Sequence, residues 1–383
     1  MLAQDRFNSL HAIRGIAAIV VLTSHLVLAI PGIDLLVWAD PNATRHFTWR
    51  WENVITYSPL HIFWSGHEAV LVFFILSGFV LTLAILKARD SFANYAAKRI
   101  VRIWMPFAVA LLLAIIASKA LFVQPIGDGY SEWLQHMPPG AISIKSVVGH
   151  LLMTGLTQHM TLSPIMWSLV HEIRISIAMP FIVWGVLKFP KAMVTLSLVL
   201  LVPGAIWPEA FSLTASSVTQ SLLQTSIYIP IFVGGAFLAV YRDTLKTAIA
   251  KYPTVVVALM WAMGILLLEA RWIIYDGLLF SHISSGVGAG LIILMAFASP
   301  GSSRFLDKPP LIWLGDISYP LYLTHFTVLI AVAKIGTLIG APAWIVLPMV
   351  LAVSLLVADI FRRMVDSPVQ NLNKMFSAKP RTA

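Results

Sequence analysis

Ten apolar runs divide this 383-residue chain, near residues 12–30, 68–86, 103–123, 166–187, 192–207, 226–241, 253–270, 279–298, 311–335 and 342–361. About 20 apolar residues suffice for a helix to cross the hydrocarbon core of a bilayer. The expected fold is therefore all-α: a polytopic membrane bundle of about ten transmembrane helices. The fifth and sixth runs span only about 16 residues, below the usual ~20, so their boundaries are the least defined. Charged residues make up 11% of the chain, against about 25% in a soluble domain. No Gly/Ser linker, charge run or internal repeat breaks the pattern, so residues 1–383 read as one domain. Its helical core spans about 10–362, with a short tail at 363–383.

Lys and Arg collect in cytoplasmic loops of membrane proteins. If the N-terminus is inside, 19 of the 26 Lys and Arg fall on the cytoplasmic side and six on the other, with Arg174 inside a run. Both termini are thus expected in the cytoplasm. The net charge of +9 reflects that bias rather than a nucleic-acid partner. The N-terminal residues lead directly into a run too long for a signal-peptide core. Cysteine is absent, which excludes disulfides, thiolate metal sites and a cysteine nucleophile.

Polar residues inside the runs carry the functional information. Arg14 and His25 lie in IRGIAAIVVLTSHLVLAI, 11 positions apart. On a helix that spacing places both on one face, roughly 16 Å apart. An ionisable group there costs at least ~2.5 kcal/mol and by default marks a functional site. Lys98, Arg99 and Arg102 open the third run, with Arg99 and Arg102 on one face. They fit either a topology anchor or a guanidinium fork for phosphates. Ser77-Gly78 in FFILSGFVLTL reads first as a close-packing site.

MWSLVHEIRISIAMPF places His171, Glu172 and Arg174 within four positions. Glu172 is expected in the outer third of the membrane, level with His25. The trio serves function or neutralises other buried charges. Neither His67-Glu68 nor His171-Glu172 continues to a second His at metalloprotease spacing, so no metal is expected. In GDISYPLYLTHF, Ser318, Tyr322 and His325 share a stripe and Tyr319 falls off it. The stripe is a polar seam between helices or a wall facing a ligand.

Two loops on the outer side are long, about 31–67 and 124–165. The first holds Trp38, His46, Trp49, Trp51, His61, Trp64 and His67, either an interfacial aromatic belt or a sugar-stacking surface. Asn42-Ala43-Thr44 matches a glycosylation sequon. The second loop contains SVVGHLLMTGL, too short to span and expected to be interfacial or re-entrant.

Together these motifs resemble the acyltransferase-3 family of integral-membrane acyltransferases. The matching pieces are Arg14-Gly15 with His25, FFILSGF, the Arg99/Arg102 pair, Trp167-Ser168-Leu169 with Glu172, and Gly315 through His325. They occur in family order from residue 10 to the C-terminal helix. His11 stands where the family usually has an acidic residue, IRIS replaces an aromatic pair after Glu172, and Asp366-Ser367-Pro368 replaces Glu-x-Pro. The resemblance implies transfer of an acyl group, often acetyl, from acyl-CoA to a hydroxyl of a surface or secreted glycan or glycolipid. It implies a multi-pass protein of the bacterial inner (plasma) membrane. Arg14, Arg99 and Arg102 would hold acyl-CoA, with acetyl-CoA the expected donor. His25 would be the general base, with Glu172 orienting the imidazole or the acceptor. Ser77, Trp167, Ser168, Tyr322 and His325 would line the substrate path. The competing expectation is a transporter of an acylated or anionic solute, using the same buried charges without chemistry.

Overall fold

The computed structural model of the chain describes residues 8–37, 49–88, 90–121, 126–137, 142–156, 162–212, 215–274 and 277–375. Trp38, His46 and the Asn42 sequon lie outside them. Every apolar run is carried by a helix: α1 (Asn8–Leu28), α2 (Gly66–Lys87), α3 (Phe92–Leu121), α4 (Met166–Lys188), α5 (Pro190–Leu200), α6 (Val218–Val240), α7 (Thr254–Leu268), α8 (Leu278–Ala298), α9 (Pro309–Leu338) and α10 (Ala343–Phe361). No strand occurs among the described residues.

Eight helices are long and apolar enough to cross a membrane. The shorter two are α7 and α5, the latter continued by a short helix at Val202–Ile206. The sixth run is therefore longer than its hydropathy implied. It starts at Val218, where the Ser217 side chain accepts a hydrogen bond from the Gln220 N–H and caps the helix. Its first turns contain Ser221, Gln224 and Thr225, all buried. Gln224 donates to the Ser212 carbonyl (3.1 Å) and Thr225 to that of Ser221 (3.0 Å). A hydropathy window discards such residues although the protein satisfies them internally.

Side-chain contacts give each helix its direction. His67 stacks on Trp167 and, further along both helices, Ser77 bonds Glu172, so α2 and α4 are parallel. Phe74 meets Tyr228, while Phe79 lies against Gly235, so α6 is parallel to them. His282 bonds the Ile227 carbonyl and Gly286 faces Ile231, which aligns α8 with α6. The segments between these parallel helices must each return across the bundle. The α5 stretch, short as it is, therefore crosses from the end of α4 to the start of α6. His11 bonds Asp316 near one end and His25 meets His325 near the other, so α1 and α9 are parallel. Gly336 faces Val346 and Arg362 faces Asp316, which makes α10 antiparallel to α9. The start of α1 and the end of α10 thus share one face.

Glycine allows the closest approaches. A Cβ on Gly15 would strike the backbone of Leu314 and Gly315, and one on Gly315 would strike the His11 carbonyl. One on Gly78 would strike the Phe232 carbonyl. These are the small-residue contacts that let membrane helices pack backbone to backbone.

Two segments fold back onto the bundle. Residues Ile144–Leu152 form a nine-residue helix. Trp104 of α3 donates its indole N–H to the Leu151 carbonyl (2.7 Å), and Arg174 of α4 donates to that of Thr154 (2.7 Å). The end of this helix therefore packs between α3 and α4. Beyond α10 a π turn (Arg362–Asp366) leads to α11 (Ser367–Met375). Asn373 donates to the Lys98 carbonyl (3.1 Å), fastening α11 to the start of α3. Much of the expected tail is thus structural.

Candidate active site

Among the described residues, one cavity enters the bundle from each end of α1 and α9, besides an apolar one beside α1 and α7. The first, about 540 Å³, is lined by Arg14 and His11 of α1, Ser77 and Lys87 of α2, and Arg99 and Arg102 of α3. Glu172, Tyr319 and Gln370 complete it. We call this end the arginine face. Arg99 faces the Glu172 carboxylate at 3.6 Å, and Ser77 donates to the same carboxylate oxygen at 3.3 Å. Arg102 is ion-paired with Asp366 and lies over the Tyr319 ring, 5.0 Å from its centre. Gln370 of α11 donates to the other Asp366 oxygen (2.7 Å). Arg14 pairs with no carboxylate among the described residues. The pocket therefore carries an excess of positive charge with planar guanidinium forks, the equipment for a phosphate-rich anion.

The second cavity, about 480 Å³, opens at the opposite, histidine face. His25, Trp133, Trp167 and Tyr322 line its floor, and His67, Glu68, Arg271, Trp272 and His282 its walls. The His25 Nδ1 atom lies 2.9 Å from the Val21 carbonyl and 3.2 Å from Nε2 of His325. Its ring stacks on Trp133 at 5.8 Å and meets the edge of Phe326 at 5.5 Å. Tyr322 and Ser168 share a hydrogen bond of 2.6 Å that ties α9 to α4. Trp167 lies parallel to His67 (5.6 Å). Trp272 donates its indole N–H to Glu68 (3.1 Å) and stacks on His61, which bonds Glu269 at 2.7 Å. Phe73 and Tyr322, ring to ring at 5.8 Å, stand between the two cavities.

The expected site residues thus divide into two groups. Arg14, Arg99, Arg102 and Ser77 meet at the arginine face, and His25, Trp167 and Tyr322 line the histidine cavity, with Ser168 behind Tyr322 and the fully buried His325 behind His25. Glu172 changes group: it faces Arg99 and Ser77 rather than His25. Ser168, bonded to Tyr322, precedes Glu172 by one turn of α4, and Tyr322 itself lies a turn short of His325. Glu172 is therefore about 10 Å nearer the arginine face than His25, so it cannot orient that imidazole.

Three further residues fall among the alternatives the sequence left open. Ser318 turns back to the Gly315 carbonyl of its own helix (2.7 Å), while Tyr319, off the predicted stripe, lines the arginine cavity. His171 bonds Thr225 (3.0 Å). Arg174 spans to Ser221 and Thr225 of α6 and to the Thr154 carbonyl, a structural clasp. The Trp-rich loop divides as well: Trp64 reaches the histidine cavity, whereas Trp49 is 89% exposed.

Asp366 and Gln370 escaped the sequence reading because their role needs α11 to fold back. Asp366 had one visible sign, its place at a family motif. No group of three His, Asp or Glu side chains suited to a metal ion occurs among the described residues. No curated protein and no solved structure matches the chain. The acyltransferase-domain model of the acyltransferase-3 family matches residues 7–363, nearly the whole of it. With the helix bundle and its paired cavities, that match identifies the chain as a member of the acyltransferase-3 family, a multi-pass membrane acyltransferase.

Proposed function

We propose that the protein transfers an acyl group, acetyl in the first instance, from acyl-CoA to a hydroxyl of a glycan or glycolipid. The observation that carries this is the pair of cavities on one helix pair: a guanidinium-lined pocket at one face and a histidine and tryptophan pocket at the other. Coenzyme A carries its phosphates at one end and its thiol at the other. Its nucleotide end matches the cationic pocket of Arg14, Arg99 and Arg102, and its pantetheine arm can reach toward Phe73 and Tyr322. A saccharide stacks its apolar face on aromatic rings and exchanges hydrogen bonds with carboxylates and imidazoles, which the second pocket offers.

In the reaction, Nε2 of His25 takes the proton of the acceptor hydroxyl. The hydroxyl oxygen attacks the thioester carbonyl, the C–S bond breaks, and the new ester is released. The proton on His25 then passes to the departing thiolate, so the base is restored each turnover. Glu172 holds Arg99 in the donor pocket. Lys and Arg predominate at the arginine face, which supports a cytoplasmic donor and an acceptor on the far side of a bacterial inner membrane.

Sealed vesicles of defined protein orientation test this. With acetyl-CoA on one side and acceptor on the other, acetylated acceptor should form only when acetyl-CoA meets the arginine face. Product that requires both substrates on that face would overturn transfer across the membrane. Absence of any CoA-dependent transfer or thioester hydrolysis would overturn the donor assignment.

A further inference from the structure

We propose that His325 is a positioning residue that fixes which nitrogen of His25 carries the lone pair. The inference deepens the reading of His25 as the general base. It rests on hydrogen-bond bookkeeping across α1 and α9.

His325 is fully buried, and its Nδ1 lies 2.9 Å from the Leu321 carbonyl. A carbonyl oxygen only accepts, so this Nδ1 bears the hydrogen. In a neutral imidazole the other nitrogen, Nε2, is then an acceptor. That Nε2 lies 3.2 Å from Nδ1 of His25, which is also 2.9 Å from the Val21 carbonyl. The His25 Nδ1 therefore faces two acceptors and must be the protonated nitrogen. Its lone pair is left on Nε2, in a ring that lines the histidine cavity.

The Val21 carbonyl alone is a weak guide. It belongs to the same helix and already accepts from the Ser24 hydroxyl at 2.7 Å. His325 supplies the acceptor from another helix and so orients the ring relative to α9. Trp133 and Phe326 restrict its rotation. When Nε2 takes the acceptor's proton, His25 becomes a cation that still donates through Nδ1 to His325. The lone pair of His325 then faces the new charge. His325 remains neutral throughout and moves no proton.

The test uses the full-length protein labelled with ¹⁵N-histidine in nanodiscs. The His25 resonances are identified by their loss in His25→Ala. We expect the Nδ1–H form in the wild type, a mixture of both forms in His325→Leu, and recovery of Nδ1–H in His325→Gln, whose Oε1 can accept. Kinetically, His325→Leu should lower kcat roughly 100-fold, less than the ~10⁴ lost when a Ser-His-Asp triad loses its orienting carboxylate. KM for both substrates should hold, and His325→Gln should regain at least a tenth of kcat. An Nε2–H form of His25 in the wild type, or an unchanged kcat in His325→Leu, overturns the proposal. The wild-type spectrum decides even if a variant misfolds. Should His25 not be the base, His25→Ala would retain transfer while the spectra remained as expected, so the two failures are distinguishable.

Discussion

Asp366, in the π turn after α10, holds the guanidinium of Arg102 on α3 in an ion pair that spans 264 residues of sequence. The pair closes one wall of the arginine cavity and brings α11 with it. Asp366 is buried, whereas Arg102 remains 21% exposed to the cavity. On the proposed function, a donor phosphate entering there would meet an arginine already oriented by a carboxylate.

Asp366→Asn should therefore loosen the C-terminal fold without unfolding the bundle. Breaking a fully buried pair costs about 3–5 kcal/mol; the partial exposure of Arg102 reduces this to about 1–3 kcal/mol. The melting temperature should fall by several degrees. Coenzyme A should raise it more in the variant than in the wild type, because phosphate then replaces the missing carboxylate. Equal coenzyme A shifts in the two proteins would show that Asp366 and the donor do not share Arg102.

Arg99→Ala and Arg102→Ala should each raise KM for acetyl-CoA roughly tenfold or more, the weight of one or two charge-assisted hydrogen bonds. Contacts remote from the reacting bond act mainly through binding, so kcat should change less. Initial rates across a donor concentration series check this. A normal donor KM in the double variant would leave the pair as a topology anchor.

Glu172→Gln separates the two cavities. Glutamine can still accept from Ser77 but no longer offsets Arg99. The expected effect is on donor KM, with the pH dependence of kcat unchanged, because Glu172 faces Arg99 and not His25. A displaced pH profile of kcat with normal donor KM would contradict that division.

His25→Ala should lower transfer by about 10²–10⁴-fold, the usual contribution of a general base. Donor binding, read by coenzyme A thermal shift, should hold, since His25 lies outside the arginine cavity. Retention of more than about a tenth of the wild-type rate would remove His25 from the reaction.

Arg174→Leu should destabilise without altering either KM. The change removes charge-assisted bonds to the Thr154 and Ser221 carbonyls, and a hydrogen bond to a charged group contributes about 1.5–3 kcal/mol. A lower melting temperature with normal kinetics is expected; altered acceptor KM with unchanged stability would give Arg174 a ligand instead.

The ten helices and their alternation are written in hydropathy, because a backbone in lipid must bond to itself and a long apolar run leaves it only the helix. The shared face of Arg14 and His25 follows from helical periodicity, which is local, and the folded chain keeps it. The partnerships do not follow from periodicity. Glu172 counts as level with His25 along the sequence, yet tilt and packing put it against Arg99. The stripe of α9 left Ser318 in a polar seam or on a ligand-facing wall; in the fold Ser318 bonds its own helix and Tyr319 lines the cavity. Asp366 and His325 act through Arg102 and His25, 264 and 300 positions away, separations that no sequence window samples. Helix rotation and long-range closure are set by how backbones approach, at Gly15 on Gly315 and Gly78 on Phe232. Those contacts exist only once the bundle has formed.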